Sequence, residues 1–221
     1  MAITLYGDLK SRAHRVAWML KELQLPFEHV PTGFLDGGTH HPEFLRINPN
    51  ARVPALVDGD LVLFESLAIN LYLARCYGCG TLGPGGVAED AQATQWSLWV
   101  ANEVEKALLF AAANRFLFTP DQRNADEAQM ALTKLERPFA VLEARLRNQR
   151  WLVGGRFTVA DLNVCAVMSL IPLADIDVSR WPSMQDWLHR SLERPAAADW
   201  KPIRFTIPRP ATPLGVLQMF V

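Results

Sequence analysis

The stretch ARVPALVDGDLVLFES, residues Ala51 to Ser66, opens on a Val-Pro pair and ends by delivering Glu-Ser into a helical pattern. Between these ends, Ala55–Val57 and Leu61–Phe64 are apolar, strand-forming runs joined by Asp58-Gly59-Asp60, so the middle reads as a β-hairpin. Pro54 has no backbone N–H to donate, which confines it to an edge or a special turn at the head of a strand. A cis Val53-Pro54 bond would turn the Val53 N–H and C=O outward, where an extended peptide can pair with them. After Ser66, Leu67, Ala68, Leu71, Tyr72 and Ala74 recur at helical spacing, so Glu65-Ser66 marks a helix N-terminus. Such an end offers free N–H groups and partial positive charge to a carboxylate. A tight turn and an N-cap serine would each explain one feature alone. Both at hairpin spacing point to a small peptide ligand.

The chain has 221 residues, half of them hydrophobic, and a formal net charge of -1, which suits one large or two modest globular domains. Near-neutral charge argues against a nucleic-acid protein. No apolar run approaches a membrane span, and MAITLYGD lacks the basic region and cleavage site of a leader, so the expected compartment is the cytoplasm. Of three cysteines, two form Cys76-Tyr77-Gly78-Cys79. Zinc needs further ligands, and neither a second CxxC nor a nearby His pair follows. A redox dithiol of the thioredoxin kind would follow the first strand, so the pair reads as structural and no metal is expected.

The N-terminal part alternates: a strand over Ile3–Tyr6, a helix from about Ser11 to Leu23, a strand over Glu28–Pro31, a Gly-rich loop Gly33–Thr39, then the hairpin and its helix. This is the order of an α/β layer domain. Ala13, Val16, Ala17, Leu20 and Leu23 form the buried stripe of the first helix. The break GCGTLGPGGVAED, Gly78 to Asp90, reads as a linker, giving domains over 1–78 and 89–221 around a linker at 79–88. Beyond it helices are expected over Glu89 to about Phe118, Ala125 to Asn148, Thr158 to Leu173 and Ser183 to Arg194. Thr158-Val-Ala-Asp161 has the form of a capping box with Asp for Glu. The Pro-rich tail from Trp200 to Phe220 should run irregularly over the surface.

Together LYG, SRAHRVAWMLKELQLPFE, PEFLRINPNARVPALVDGDLVLFES and AINLYLA, followed by FTVADLNV and WPSMQDWLHRSLERPA, resemble the soluble glutathione transferases over essentially the whole chain. The resemblance implies a thioredoxin-like N-terminal domain, an all-helical C-terminal domain, glutathione as co-substrate and a homodimer. It places Val53, beside cis-Pro54, against the cysteinyl residue of glutathione. Glu65 then meets the γ-glutamyl ammonium, Ser66 its carboxylate and Arg52 the glycyl carboxylate. His40, or Thr39 in the alternative register, lies where some classes hold the glycyl end; a solvated loop histidine is the plain reading. Ala51 stands where the family more usually has glycine.

In bacterial-like, serine-type members a hydroxyl between the first strand and first helix donates to the glutathione sulfur, which implies this role for Ser11. Serine is also a preferred N-cap, and Tyr6 is the rival donor. No cysteine occupies this loop, which disfavours a thiol-exchange class. An apolar wall for an electrophile is expected from Trp96, Trp99, Val100, Ala107, Phe110 and Phe118, with Leu9 opposite. The reading is glutathione transfer to, or glutathione-driven reduction of, an apolar electrophile. The alternatives are a glutathione-dependent isomerase or dehalogenase, and a non-catalytic binding module of the same fold.

Overall fold

The computed structural model describes residues 3–197 and 206–211. Its N-terminal domain is a four-stranded sheet of order β2-β1-β3-β4. β1 (Ile3–Tyr6) is parallel to β2 (Phe27–Val30) and antiparallel to β3 (Ala55–Asp58), which turns back as β4 (Leu61–Phe64). A parallel pair needs a crossover, and α1 (Ala13–Glu22) supplies it. Ile3 and Leu5 are buried while Thr4 and Tyr6, which alternate with them, are half-buried, the alternation of a strand with one face on a core. The β3–β4 turn places Gly59 at φ 62, in the left-handed region a two-residue hairpin loop requires. α3 (Ser66–Tyr77) follows β4 directly.

The second domain is all helical. α4 (Val87–Trp99), a π-helical segment (Val100–Glu105), α5 (Lys106–Ala112) and a second π-helical segment (Ala113–Leu117) form one uninterrupted run. Then come α6 (Ala125–Leu146), α7 (Val159–Met168), the single turn α8 (Leu170–Leu173) and α9 (Pro182–Leu192). Every residue of α7 is buried. At its head, the Asp161 carboxylate accepts from the backbone N–H of Leu152 (2.9 Å) and Thr158 (3.1 Å), and from Trp187 Nε1 (2.9 Å). The capping box therefore also clamps the preceding loop and α9. One contiguous core runs from Leu5 and Leu56 through Val16, Leu20, Ile69 and Leu73 to Leu108, Val164, Met168 and Trp187, so the two domains share it.

Several expectations shift. α1 begins at Ala13 rather than Ser11, because the Asp8–Ser11 segment closes a turn of its own: Ser11 N–H and Oγ–H both donate to the Asp8 carbonyl, at 2.9 and 2.6 Å. β2 sits one residue earlier than expected. α2 (Pro42–Ile47), absent from the pattern reading, is too short to show periodicity and starts on Pro42. Of the cysteines, Cys76 and Cys79 are exposed and Cys165 is buried. Most of the Pro-rich tail lies outside the described residues. Within 206–211, Ile207 N–H donates to Leu117 O at 2.9 Å and Arg209 pairs with Glu127 at 2.7 Å. No described helix is long and apolar enough to cross a membrane.

Candidate functional site

The Val53-Pro54 peptide is cis. Pairing with β1 and β4 starts at Ala55, and the Val53 N–H and C=O make no backbone hydrogen bond among the described residues. Asn48 pins this turn from behind: its Nδ2 donates to Arg52 O at 2.7 Å and its Oδ1 accepts from Asn50 N–H at 3.1 Å. Ala51 takes φ 53, a left-handed conformation that costs a residue with a Cβ about 1–2 kcal/mol. That is the physical reason a glycine suits the position.

At the other end of the hairpin Glu65 has φ 69, outside the helix it precedes, while its carbonyl accepts the first helical bond from Ile69 N–H at 2.9 Å. Strained backbone of this kind persists where its surroundings over-determine it, and such places cluster at ligand clamps. No side chain caps this helix end. Ser66 is therefore the first helical residue and not a cap. The first-turn amides of α3 are given no side-chain acceptor.

Both ends open into one cleft of about 340 Å³ between the domains. The hairpin and α3 contribute Arg52, Val53, Pro54, Glu65 and Ser66; α1 and the residue before it contribute Arg15 and Arg12; the helical domain contributes Thr94, Ser97, Leu98, Ala101 and Glu105. Arg15 is 3% exposed, and Glu105 7%. Glu105 Oε1 accepts from Arg12 Nε at 2.6 Å and from Arg15 NH2 at 2.9 Å, and Arg15 NH1 reaches Ser66 Oγ at 3.4 Å. Burial pushes the Glu105 carboxyl upward, but the Arg15 and Arg12 guanidiniums outweigh it and hold the group down at about 2. Three arginines against two carboxylates leave the cleft one net positive charge, suited to an anionic ligand.

Beneath the ion pair, the domains are stitched by buried amides. Asn70 Nδ2 donates to Asn163 Oδ1 at 2.9 Å and to Arg15 O at 3.2 Å, and Asn163 Nδ2 donates to Ser97 Oγ at 2.9 Å. These bonds fix α1, α3, α4 and α7 around the cleft.

Ser11 does not line the cleft; it precedes Arg12, which does, and is half-buried, and its Oγ also accepts from Ala13 N–H at 3.1 Å. His14 holds the same residue from below, its Nδ1 2.7 Å from Ser11 O. Burial, with the Arg15 charge beside it, lowers the His14 pKa to about 3, so the ring is neutral and donates to that carbonyl. Tyr6 closes β1 opposite Ala55, its ring 6.3 Å from that of Phe44. His40 is exposed, with Nδ1 3.3 Å from Oγ1 of the buried Thr39, and neither lines the cleft.

Of the expected apolar wall, Leu9, Trp96, Trp99, Ala107 and Phe110 are half-buried against the core. Val100 and Phe118 are corrections: Val100 is fully buried in the shared core, and Phe118 is fully buried with Leu117 and Ile207, with Arg209 over its ring at 5.5 Å. Packing by the tail turns Phe118 from a surface into core.

Arg12, Arg15, Glu105 and Asn48 were not legible as site residues. An arginine on the core side of α1 signals a buried acid partner, but Glu103 and Glu105 are equal candidates in the sequence. The π-helical turn settles the matter by rotating Glu105 inward and leaving Glu103 exposed.

Residues 1–75 match the glutathione S-transferase N-terminal domain family and residues 106–195 its C-terminal domain family. Glutathione S-transferase GstB of Escherichia coli (strain K12) is 32% identical over 197 residues, covering 88% of this chain and 95% of that one. Among solved structures, the glutathione transferase URE2P5 from Phanerochaete chrysosporium superposes with a TM-score of 0.81 at 28% identity, covering 90% and 92% of the two chains. Glutathione S-transferase-I bound with the ligand lactoylglutathione superposes with a TM-score of 0.80 at 32% identity, covering 90% and 98%. With both domain families matched in order and relatives aligned over nearly their full length, the chain belongs to the glutathione S-transferase family.

Proposed function

We propose that the cleft binds glutathione and presents its thiolate to an apolar electrophile, for conjugation or for reduction of a peroxide, in the manner of a serine-type transferase. One observation carries the reading: a free backbone edge at Val53 and an uncapped helix start at Glu65-Ser66 face the same positively charged cleft. Val53 pairs with the cysteinyl residue, Ser66 and the first-turn amides of α3 take the γ-glutamyl carboxylate, Glu65 takes its ammonium, and Arg52 takes the glycyl carboxylate. Lactoylglutathione bound to a relative at 32% identity fits the same ligand class.

Ser11 has a single hydroxyl proton, which Asp8 O accepts at 2.6 Å. To serve the sulfur, the O–H turns from a neutral acceptor to a charged one. The gain is the difference between the two bonds, about 1 kcal/mol, or roughly fivefold in thiolate population. A free thiol near pKa 8.5 is about 3% ionised at pH 7, so this alone leaves the thiolate a minority. The cationic guanidiniums of Arg12 and Arg15 favour it further, and the remaining acceleration comes from holding the two reactants together.

The exposed apolar residues Leu61, Val62 and Phe64 of β4 and Leu98 of α4 support pairing as a homodimer, which light scattering reads directly. The ligand assignment is tested by calorimetry with glutathione and by thermal shift. Binding should release heat and raise the melting temperature of the wild type. Glu65→Ala and Ser66→Ala should each weaken binding by about 1–3 kcal/mol with the fold intact. No heat and no shift at millimolar glutathione would remove the reading.

A further inference from the structure

The Cys76-Tyr-Gly-Cys79 stretch lies at the far end of α3 from the cleft. Cys76 is in the last helical turn, and Gly78, the C-cap, has φ -96 and ψ 15. A helical residue followed by that conformation makes a type I turn from Cys76 to Cys79, which keeps their Cα atoms within about 7 Å. A disulfide spans about 4.4–6.8 Å between Cα atoms. The turn is held from both sides: Gly78 N–H donates to Ala74 O at 2.9 Å, and Gly78 O accepts from Thr81 N–H at 3.0 Å and Gly83 N–H at 2.7 Å. A side chain at Gly78 would put its Cβ 2.7 Å from both Ala74 O and Gly83 N.

One helical turn before Cys76 stands Tyr72. Tyr72 and Tyr77 both donate to Asp58 Oδ2, at 2.9 and 2.6 Å. The backbone of the turn is thus fixed, both cysteines are exposed, and neither is used by the core or the cleft.

We propose that Cys76 and Cys79 form a thiol–disulfide exchange site for small disulfides of the glutathione-disulfide class, closing to an intramolecular bond. The thiolate of one cysteine attacks a sulfur of glutathione disulfide, forming a mixed disulfide and expelling one glutathione thiolate. The second cysteine then attacks the protein sulfur of the mixed disulfide and expels the other. Two protein thiols are oxidised, one glutathione disulfide is reduced to two glutathione molecules, and the two cysteine protons end on them. Closure is rapid because the second thiol is already held one turn away. Cys76 is ten residues along α3 from Ser66, about 15 Å on the helix axis, so the site is independent of the ligand cleft.

The test incubates the full chain at a series of glutathione to glutathione-disulfide ratios, quenches with acid and an alkylating agent, and measures intact and peptide masses. As the disulfide fraction rises, the dithiol should give way to a species lacking two hydrogens, linked between Cys76 and Cys79, with the buried Cys165 still reduced. Cys79→Ser should trap one glutathionyl group on Cys76, and Cys76→Ser one on Cys79. Ser66→Ala should oxidise as the wild type does. Free thiols at every ratio, stable glutathionyl groups on both cysteines, disulfide-linked dimers, or loss of the exchange in Ser66→Ala would each overturn the proposal.

Discussion

Arg15 of the first helix donates to Glu105 of the helical domain at 2.9 Å, and the same guanidinium reaches Ser66 at 3.4 Å. One buried cation thus links the domain interface to the head of the helix proposed to seat a carboxylate. A buried pair of this kind adds little over an apolar pair of the same shape, but losing one partner strands the other.

Glu105→Gln should therefore destabilise the folded chain by roughly 3–5 kcal/mol at pH 7, because Arg12 and Arg15 lose their shared acid. The Glu105 carboxyl is held at about 2 in the folded chain, against an ordinary value of 4.5. A depressed folded pKa contributes stability that is present above the unfolded value and is lost as pH falls toward the folded one. The gap between wild type and variant should accordingly narrow between about pH 4.5 and pH 2. Urea unfolding at several pH values measures it, and a gap that stays constant with pH would contradict the ionised pair.

Ser11→Ala separates the roles of that hydroxyl. It should raise the pKa of bound glutathione, seen as a later rise in thiolate absorbance with pH. Conjugation of a general aromatic electrophile should fall by less than about tenfold, since the O–H exchanges one acceptor for another. Tyr6→Phe should leave both readings unchanged. The opposite pattern, with both proteins folded, would move the donor role to Tyr6.

At Ala51, with φ 53, glycine relieves a left-handed Cβ penalty of about 1–2 kcal/mol and gives back about 0.5–1 kcal/mol in unfolded-chain entropy. Ala51→Gly should raise the melting temperature slightly while leaving glutathione affinity in place. A clear fall in melting temperature would mean that the Ala51 methyl packs in a way that outweighs the strain.

Asp161→Ala leaves four buried donors, from Leu152 N–H, Thr158 N–H and Oγ1–H, and Trp187 Nε1–H, without their acceptor. Each unsatisfied group costs about 1–3 kcal/mol, so the loss should exceed 3 kcal/mol, and expression as insoluble protein is an expected form of it. A variant that melts like the wild type would show the clamp to be dispensable.

Replacing either exposed cysteine, as Cys76→Ser or Cys79→Ser, should leave conjugation at the wild-type rate, because neither sulfur reaches the cleft. A selective loss of turnover in a folded variant would tie the turn to the reaction.

The hairpin and its flanking turns were legible because their signals are local: apolar alternation, a Gly between two Asp residues, and a proline at a strand head. The helical domain showed itself through long periodic runs and the Thr158–Asp161 cap. What stayed hidden depends on distant parts of the chain. The Glu105 contact requires a π-turn that periodic reading does not see, and Phe118 changes from wall to core because Ile207 and Arg209 cover it. α2 is too short for its pattern to stand out, and Ser11 gives up the cap position because a four-residue turn intervenes before the helix.

The shared cleft also limits how such a chain can be recombined. A thioredoxin-like half transplanted onto another helical partner would carry Arg15 with it, and the recipient would have to offer an acid in the place of Glu105 and an amide in the place of Asn163. Without them the graft buries an unneutralised guanidinium beneath its own cleft. Modular exchange between members of the fold is therefore constrained by a charge-matching condition at the seam, and a chimera can fail there while both halves keep their own sequence intact.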